Sequence, residues 1–126
     1  MVLAEDHAGV AEQLRNLLAT EFDVVTTVTD GLALVRAVEA FHPDVVVTDI
    51  EMPGLDGIAA TAAIRSSRPG TRVVLVTVHG EPELAERGYA AGALACVSKH
   101  RAGSELVTAV RAALRGERYV GSDLEH

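Results

Sequence analysis

Five short, apolar and largely β-branched runs alternate along this chain with stretches whose apolar residues recur at helical spacing. Val2-Leu3-Ala4, residues 23–28, Val45-Val46-Val47-Thr48, Val73-Val74-Leu75-Val76 and Ala95-Cys96-Val97 read as strands. Val10, Leu14, Leu17 and Leu18 follow the helical period, as do Leu34, Val38 and Phe41, and later Leu106, Val110, Ala113 and Leu114. Asp30-Gly31 marks the start of the second helix, Pro82 fits the first turn of the fourth, and Gly116 stops the last. The third and fourth runs are continuously apolar, which suits strands covered on both faces.

Strands and helices alternating in this way predict an α/β fold: a five-stranded parallel sheet, order 2-1-3-4-5, flanked by five helices, flavodoxin-like. At 126 residues the chain makes one domain. Leu124-Glu125-His126 read as the start of an expression tag, which leaves residues 1–123 as the domain. Aromatics are 3% of the chain, so its core is built from small side chains. No apolar run approaches the roughly 18 residues of a membrane span, and no leader is evident, so a cytoplasmic protein without membrane contact is expected. The single Cys96 excludes an internal disulfide and fits a reducing compartment. A net charge of −7 argues against nucleic-acid binding by this segment alone. Of the 11 basic residues, only Lys99 is a lysine.

In such a sheet the site lies at the carboxyl ends of strands one and three. Glu5 and Asp6 follow strand one, Asp49 closes strand three, Thr77 ends strand four and Lys99 follows strand five. Three converging carboxylates are unfavourable without a positive partner, which Lys99 or a hard divalent cation supplies. Mg2+ takes oxygen ligands from a few carboxylates and a phosphate oxygen. Asp49 is then the natural nucleophile toward phosphorus, with Thr77 and Lys99 offered to the phosphoryl oxygens. Each residue has a plainer interpretation: Asp6 as a helix cap, Thr77 as β-branched filler, Lys99 as a solvated charge. Asp49 resists one, because a carboxylate closing a buried strand is costly to desolvate.

These residues carry a resemblance to the receiver domains of bacterial two-component response regulators, over residues 2–123. The matching segments are Leu3-Ala4-Glu5-Asp6-His7, Pro43-Asp44-Val45-Val46-Val47-Thr48-Asp49, Met52-Pro53-Gly54-Leu55-Asp56-Gly57, Thr77-Val78-His79, and Gly92-Ala93 leading to Lys99. The stretch ending Arg115-Gly116-Glu117-Arg118-Tyr119-Val120 is similar to the LuxR/NarL-type branch. The resemblance implies that Asp49 accepts a phosphoryl group from a sensor histidine kinase. It also implies that Glu5, Asp6, Asp49 and the backbone carbonyl of Glu51 bind Mg2+, and that Thr77 and Lys99 hold the phosphoryl oxygens. Pro53 and Gly54 would shape the acceptor loop. Homodimerisation on phosphorylation is implied, as is DNA contact only through a helix-turn-helix domain that is not among these residues. Such a domain catalyses chemistry only on itself.

Three positions depart from the family pattern. Cys96 stands where a switch aromatic is usual, and is too small for that part. His100 replaces the usual Pro after the lysine, where a cis bond without Pro would cost about 2.5–4 kcal/mol. Glu51 is acidic where polar residues are common. An aspartate-nucleophile phosphatase of the haloacid-dehalogenase type places its nucleophile after the first strand, whereas Asp49 follows the third. A flavodoxin-like carrier would need a Ser/Thr-rich phosphate loop where Glu5-Asp6-His7 stands. A receiver working by partner binding alone is kept open by Cys96. The fourth helix buries little beyond Leu84 and Tyr89 and contains Gly88, so it is expected to be the least stable.

Overall fold

The computed structural model describes residues 1–78 and 80–124; His79, Glu125 and His126, the last two part of the expected tag, lie outside them. Helices α1 (Ala8–Ala19), α2 (Gly31–Phe41), α3 (Gly57–Ser67), α4 (Pro82–Ala91) and α5 (Ala102–Leu114) alternate with strands β1 (Val2–Ala4), β2 (Thr26–Val28), β3 (Val45–Asp49), β4 (Arg72–Thr77) and β5 (Ala95–Ser98). A sixth strand, β6 (Tyr119–Val120), follows α5. The sheet is parallel in the order β2-β1-β3-β4-β5-β6.

The expected five-strand order is therefore present, with one strand more than expected. Gly116, at φ 77, turns the chain after α5, and Tyr119 and Val120 then align beside Ala95 and Cys96. The second strand is shorter than expected. Residues 23–25 lie outside the strand ladder and bond to Met1, through Val25 N–H and the Asp23 carbonyl. Phe41, expected on the buried stripe of α2, is 54% exposed at that helix's last residue. Leu124 is buried and joins the core, so the packed unit runs one residue past the expected boundary.

Strand periodicity divides the core in two. Val2, Ala4, Val46, Val73, Leu75 and Cys96 face α2, α3 and α4. Leu3, Val45, Val47, Val74, Val76, Ala95 and Val97 face α1 and α5. Every residue of β3 is buried, in keeping with its unbroken apolar run. Asp30 and Asp56 cap α2 and α3 by accepting the Ala33 and Ala59 N–H groups. At Gly57 a Cβ would lie 2.1 Å from the Asp49 carbonyl oxygen, so α3 starts against the end of β3 only because no side chain intervenes. Gly88 answers a similar need, since a Cβ there would meet Leu75 Cδ1 at 2.3 Å. The residue that weakens α4 as a helix is also the one that lets it approach β4.

Gly57→Ala is expected to cost about 2–4 kcal/mol, because the obstructing atom is backbone, and chemical denaturation would measure it. α4 lacks a side-chain N-cap and carries Gly88 in its interior. Its amides are expected to exchange fastest among the five helices, and protection equal to that of α1 would contradict this.

Candidate functional site

The carboxyl ends of β1 and β3 lie side by side, with Ala4 in register with Thr48. Glu5 and Asp49 extend from these ends and are both buried, whereas Asp6 is exposed. One carboxylate oxygen from each of the three falls within 4.8 Å of the others. Lys99, directly after β5, reaches across to this group. Its Nζ lies 2.5 Å from Glu5 Oε1 and donates a hydrogen bond to Asp49 Oδ2 at 3.0 Å.

Local structure decides what each acid is free to do. Asp6 does not cap α1; His7 does, its Nδ1 accepting the Val10 N–H at 3.3 Å. The plainer interpretation of Asp6 therefore falls away. Glu5 Oε2 accepts the His7 N–H, while the buried Glu5 Oε1 has the Lys99 ion pair but no well-directed hydrogen bond. Asp49 Oδ1 accepts the Glu51 N–H at 3.3 Å. Such a set, all oxygen donors with a buried oxygen short of a directed partner, fits a hard divalent cation.

The electrostatics follow from burial. Desolvation pushes Asp49 from an ordinary 3.8 to about 6; the Lys99 hydrogen bond opposes the rise and the Glu5 charge adds to it. Burial alone would lower Lys99, but its close contacts with the Glu5 and Asp49 carboxylates more than offset that and hold the ammonium above its usual value. The two shifts differ in origin: Lys99 rises because it gains two carboxylates, whereas Asp49 rises mainly because it is buried, with the Glu5 charge adding to that.

A cavity of about 760 Å3 opens onto this group. Glu5, Asp6, Asp49, Glu51, Pro53 and Lys99 line it, and so does Arg87 of α4, which was not apparent in the sequence. A helical residue far along the chain gives no local signal of facing a strand end. Thr77 is buried at the end of β4 in register with Ser98, and Val78, not Thr77, forms that part of the wall. Gly54, at φ 72, turns the loop between β3 and α3 but lies outside the cavity. Cys96 is buried between the sheet and α4, where burial pushes its thiol up to about 12. Lys99–Arg101 forms a single 3-10 turn, with no cis peptide bond among the described residues.

The response regulator receiver domain matches residues 1–111, and the chain belongs to that family. It is 34% identical over 126 residues to the response regulator UvrY of Escherichia coli, and 34% identical over 128 residues to the probable transcriptional regulatory protein NarL of Mycobacterium tuberculosis. Both alignments cover 98% of this chain but 58% of the relative, so the chain spans less than two thirds of these curated proteins. Among solved structures, a LuxR-family two-component response regulator from Aurantimonas sp. SI85-9A1 superposes with TM-score 0.93 at 34% identity, covering 98% of this chain and 89% of that one. The receiver domain of the putative response regulator NarL from Mycobacterium tuberculosis gives 0.87 at 33% identity, covering 92% and 95%. This chain is thus a receiver domain of the LuxR/NarL type. No helix among the described residues is long and apolar enough to cross a membrane.

Asp49→Asn is expected to stabilise the metal-free domain by roughly 1–2 kcal/mol at pH 7, less than the full shift implies because Lys99 loses a partner. Asp49 has a folded value near 6 above its ordinary 3.8, so its ionised form costs stability fully above pH 6. That cost disappears below about pH 4, where the carboxyl is protonated in both states. Thermal unfolding of both proteins across this range would measure the convergence.

Proposed function

We propose that this receiver is a phosphorylation switch in which Asp49 accepts a phosphoryl group from the phosphohistidine of a sensor kinase. The observation that carries the proposal is the joint position of Glu5, Asp6 and Asp49, with Lys99 3.0 Å from the Asp49 oxygen. A carboxylate oxygen of Asp49 attacks phosphorus as the phosphorus–nitrogen bond breaks, leaving an acyl phosphate and a neutral imidazole on the kinase. Glu5, Asp6, Asp49 and the Glu51 backbone carbonyl would hold Mg2+, which supplies charge neutralisation for the transferring group when bound. Lys99 would then exchange its contact with Asp49 for the new phosphoryl oxygens, where a compact ammonium suits a single anion. Thr77 is assigned to the same oxygens from its place at the end of β4. Pro53 and Gly54 shape the loop beside the acceptor.

The chemistry is directed at the domain itself, with slow hydrolysis of the acyl phosphate returning the switch to rest. Membership of the LuxR/NarL-type receivers makes this a proposed cytoplasmic protein that dimerises when phosphorylated and acts on DNA through a separate helix-turn-helix domain. Incubation with Mg2+ and acetyl phosphate, or with a phosphorylated histidine kinase, is expected to add one phosphoryl group by intact mass. Asp49→Asn is expected to add none. A folded wild-type domain that gains no adduct from either donor would overturn this function in favour of a receiver acting by partner binding alone.

A further inference from the structure

The segment after α5 is a docked strap. The two residues of β6 are too few to hold a strand in place by backbone pairing alone. Tyr119 N–H donates to the Leu94 carbonyl and Gly121 N–H to the Cys96 carbonyl, at 2.9 and 2.8 Å. Side chains supply the remaining attachment. Glu105 of α5, 8% exposed, accepts from the Tyr119 hydroxyl, the Ser122 hydroxyl and the Ser122 N–H. Burial pushes the Glu105 carboxyl up, but these donors outweigh it and hold the group below its usual value. On the α4 side, the Tyr89 hydroxyl donates to the Tyr119 carbonyl at 2.9 Å, and the Arg118 guanidinium lies 4.4 Å over the Tyr89 ring. Leu124 is buried with Tyr89 and Cys96 in the same core cluster.

One strap residue grips the loop that carries Lys99. Asp123 Oδ2 accepts the Ser98 hydroxyl at 2.7 Å and lies 3.2 Å from His100 Nε2. Ser98 and His100 are the two chain neighbours of Lys99, and Ser98 is fully buried in register with Thr77. The strap therefore contacts the side chains on both sides of the residue whose ammonium bridges Glu5 and Asp49.

We propose that Asp123 is a positioning residue for Lys99, and that strap docking and the state of the Asp49 site are coupled through it. The second half rests on the phosphoacceptor function above. Moving the Lys99 ammonium onto an anion at Asp49 pulls on the end of β5 and the turn after it, where Ser98 and His100 lie, and Asp123 must follow or release. By linkage, a strap that holds Ser98 and His100 also biases where Lys99 can reach.

Amide hydrogen exchange at Tyr119 and Gly121 in the 126-residue chain reads the strap directly. Without metal or phosphate, Lys99→Met is expected to change exchange at these two amides by at least about fivefold, with the amides of β3 unchanged. Asp49→Asn removes one of the two Lys99 partners from a domain that stays folded, and is expected to move the same amides in the same direction. No change in either variant would overturn the positioning role. With Mg2+ and acetyl phosphate, Asp123→Ala is expected to slow adduct formation by about fivefold, and Asp123→Asn, which keeps an acceptor for Ser98, to restore most of it. Glu105→Ala loosens the strap without touching the Lys99 loop, and is expected to shift the adduct rate in the direction of Asp123→Ala. Wild-type rates in both Asp123→Ala and Glu105→Ala would overturn the coupling. If the wild-type domain forms no adduct at all, the phosphoacceptor function fails, and the exchange measurements alone decide the role of Asp123.

Discussion

Two buried carboxylates end neighbouring strands, and a single ammonium stands between them. Glu5 and Asp49 are adjacent because β1 and β3 run parallel and finish at one edge, and they remain tolerable because Lys99 arrives from β5 at the same edge. Buried ion pairs of this kind seldom add net stability, since desolvation offsets most of the attraction. The elevated Asp49 carboxyl shows the balance here: burial and the neighbouring Glu5 outweigh the help from Lys99. The fold sustains a locally unfavourable group, and that group is the one best suited to a positively charged ligand.

Stability to hold that edge comes from the two apolar layers on either side of the sheet. Their side chains are mostly Val, Leu and Ala, so complementarity depends on close approach instead of large aromatic surfaces. Positions without a Cβ serve this directly. At Gly31 a side chain would strike the Leu55 carbonyl oxygen at 2.0 Å, and at Gly57 the Asp49 carbonyl oxygen. Both close approaches pin the loop between β3 and α3 beside the strand end that carries Asp49.

The alternation of apolar runs made the sheet legible, because a strand buried on both faces must be apolar at every position. Glu5, Asp6, Asp49 and Lys99 were legible because topology places strand ends together before any side chain is considered. What escaped the sequence depended on contacts without a local signature. His7 takes the cap that Asp6 was equally suited to provide, through a ring nitrogen that is an uncommon capping group. Arg87 faces the cavity from the middle of a weak helix. β6 was invisible as a strand because two residues carry no periodicity, and Leu124 looked dispensable beside Glu125 and His126. Its burial depends on Gly121 letting the chain pass close to Cys96 and Val97.

β6 has a further consequence for how the molecule behaves among its own copies. A parallel sheet ending at β5 would present a row of open backbone donors and acceptors, framed by the apolar residues Ala95, Cys96 and Val97. Such a border is a template on which another extended chain can lay itself. The strap occupies it with two residues and then leaves, giving a passing segment little to continue. At the opposite border, β2 is three residues long and carries two threonines, which is similarly poor for recruitment. The same short segment that grips the Lys99 loop thus also protects the sheet from growing.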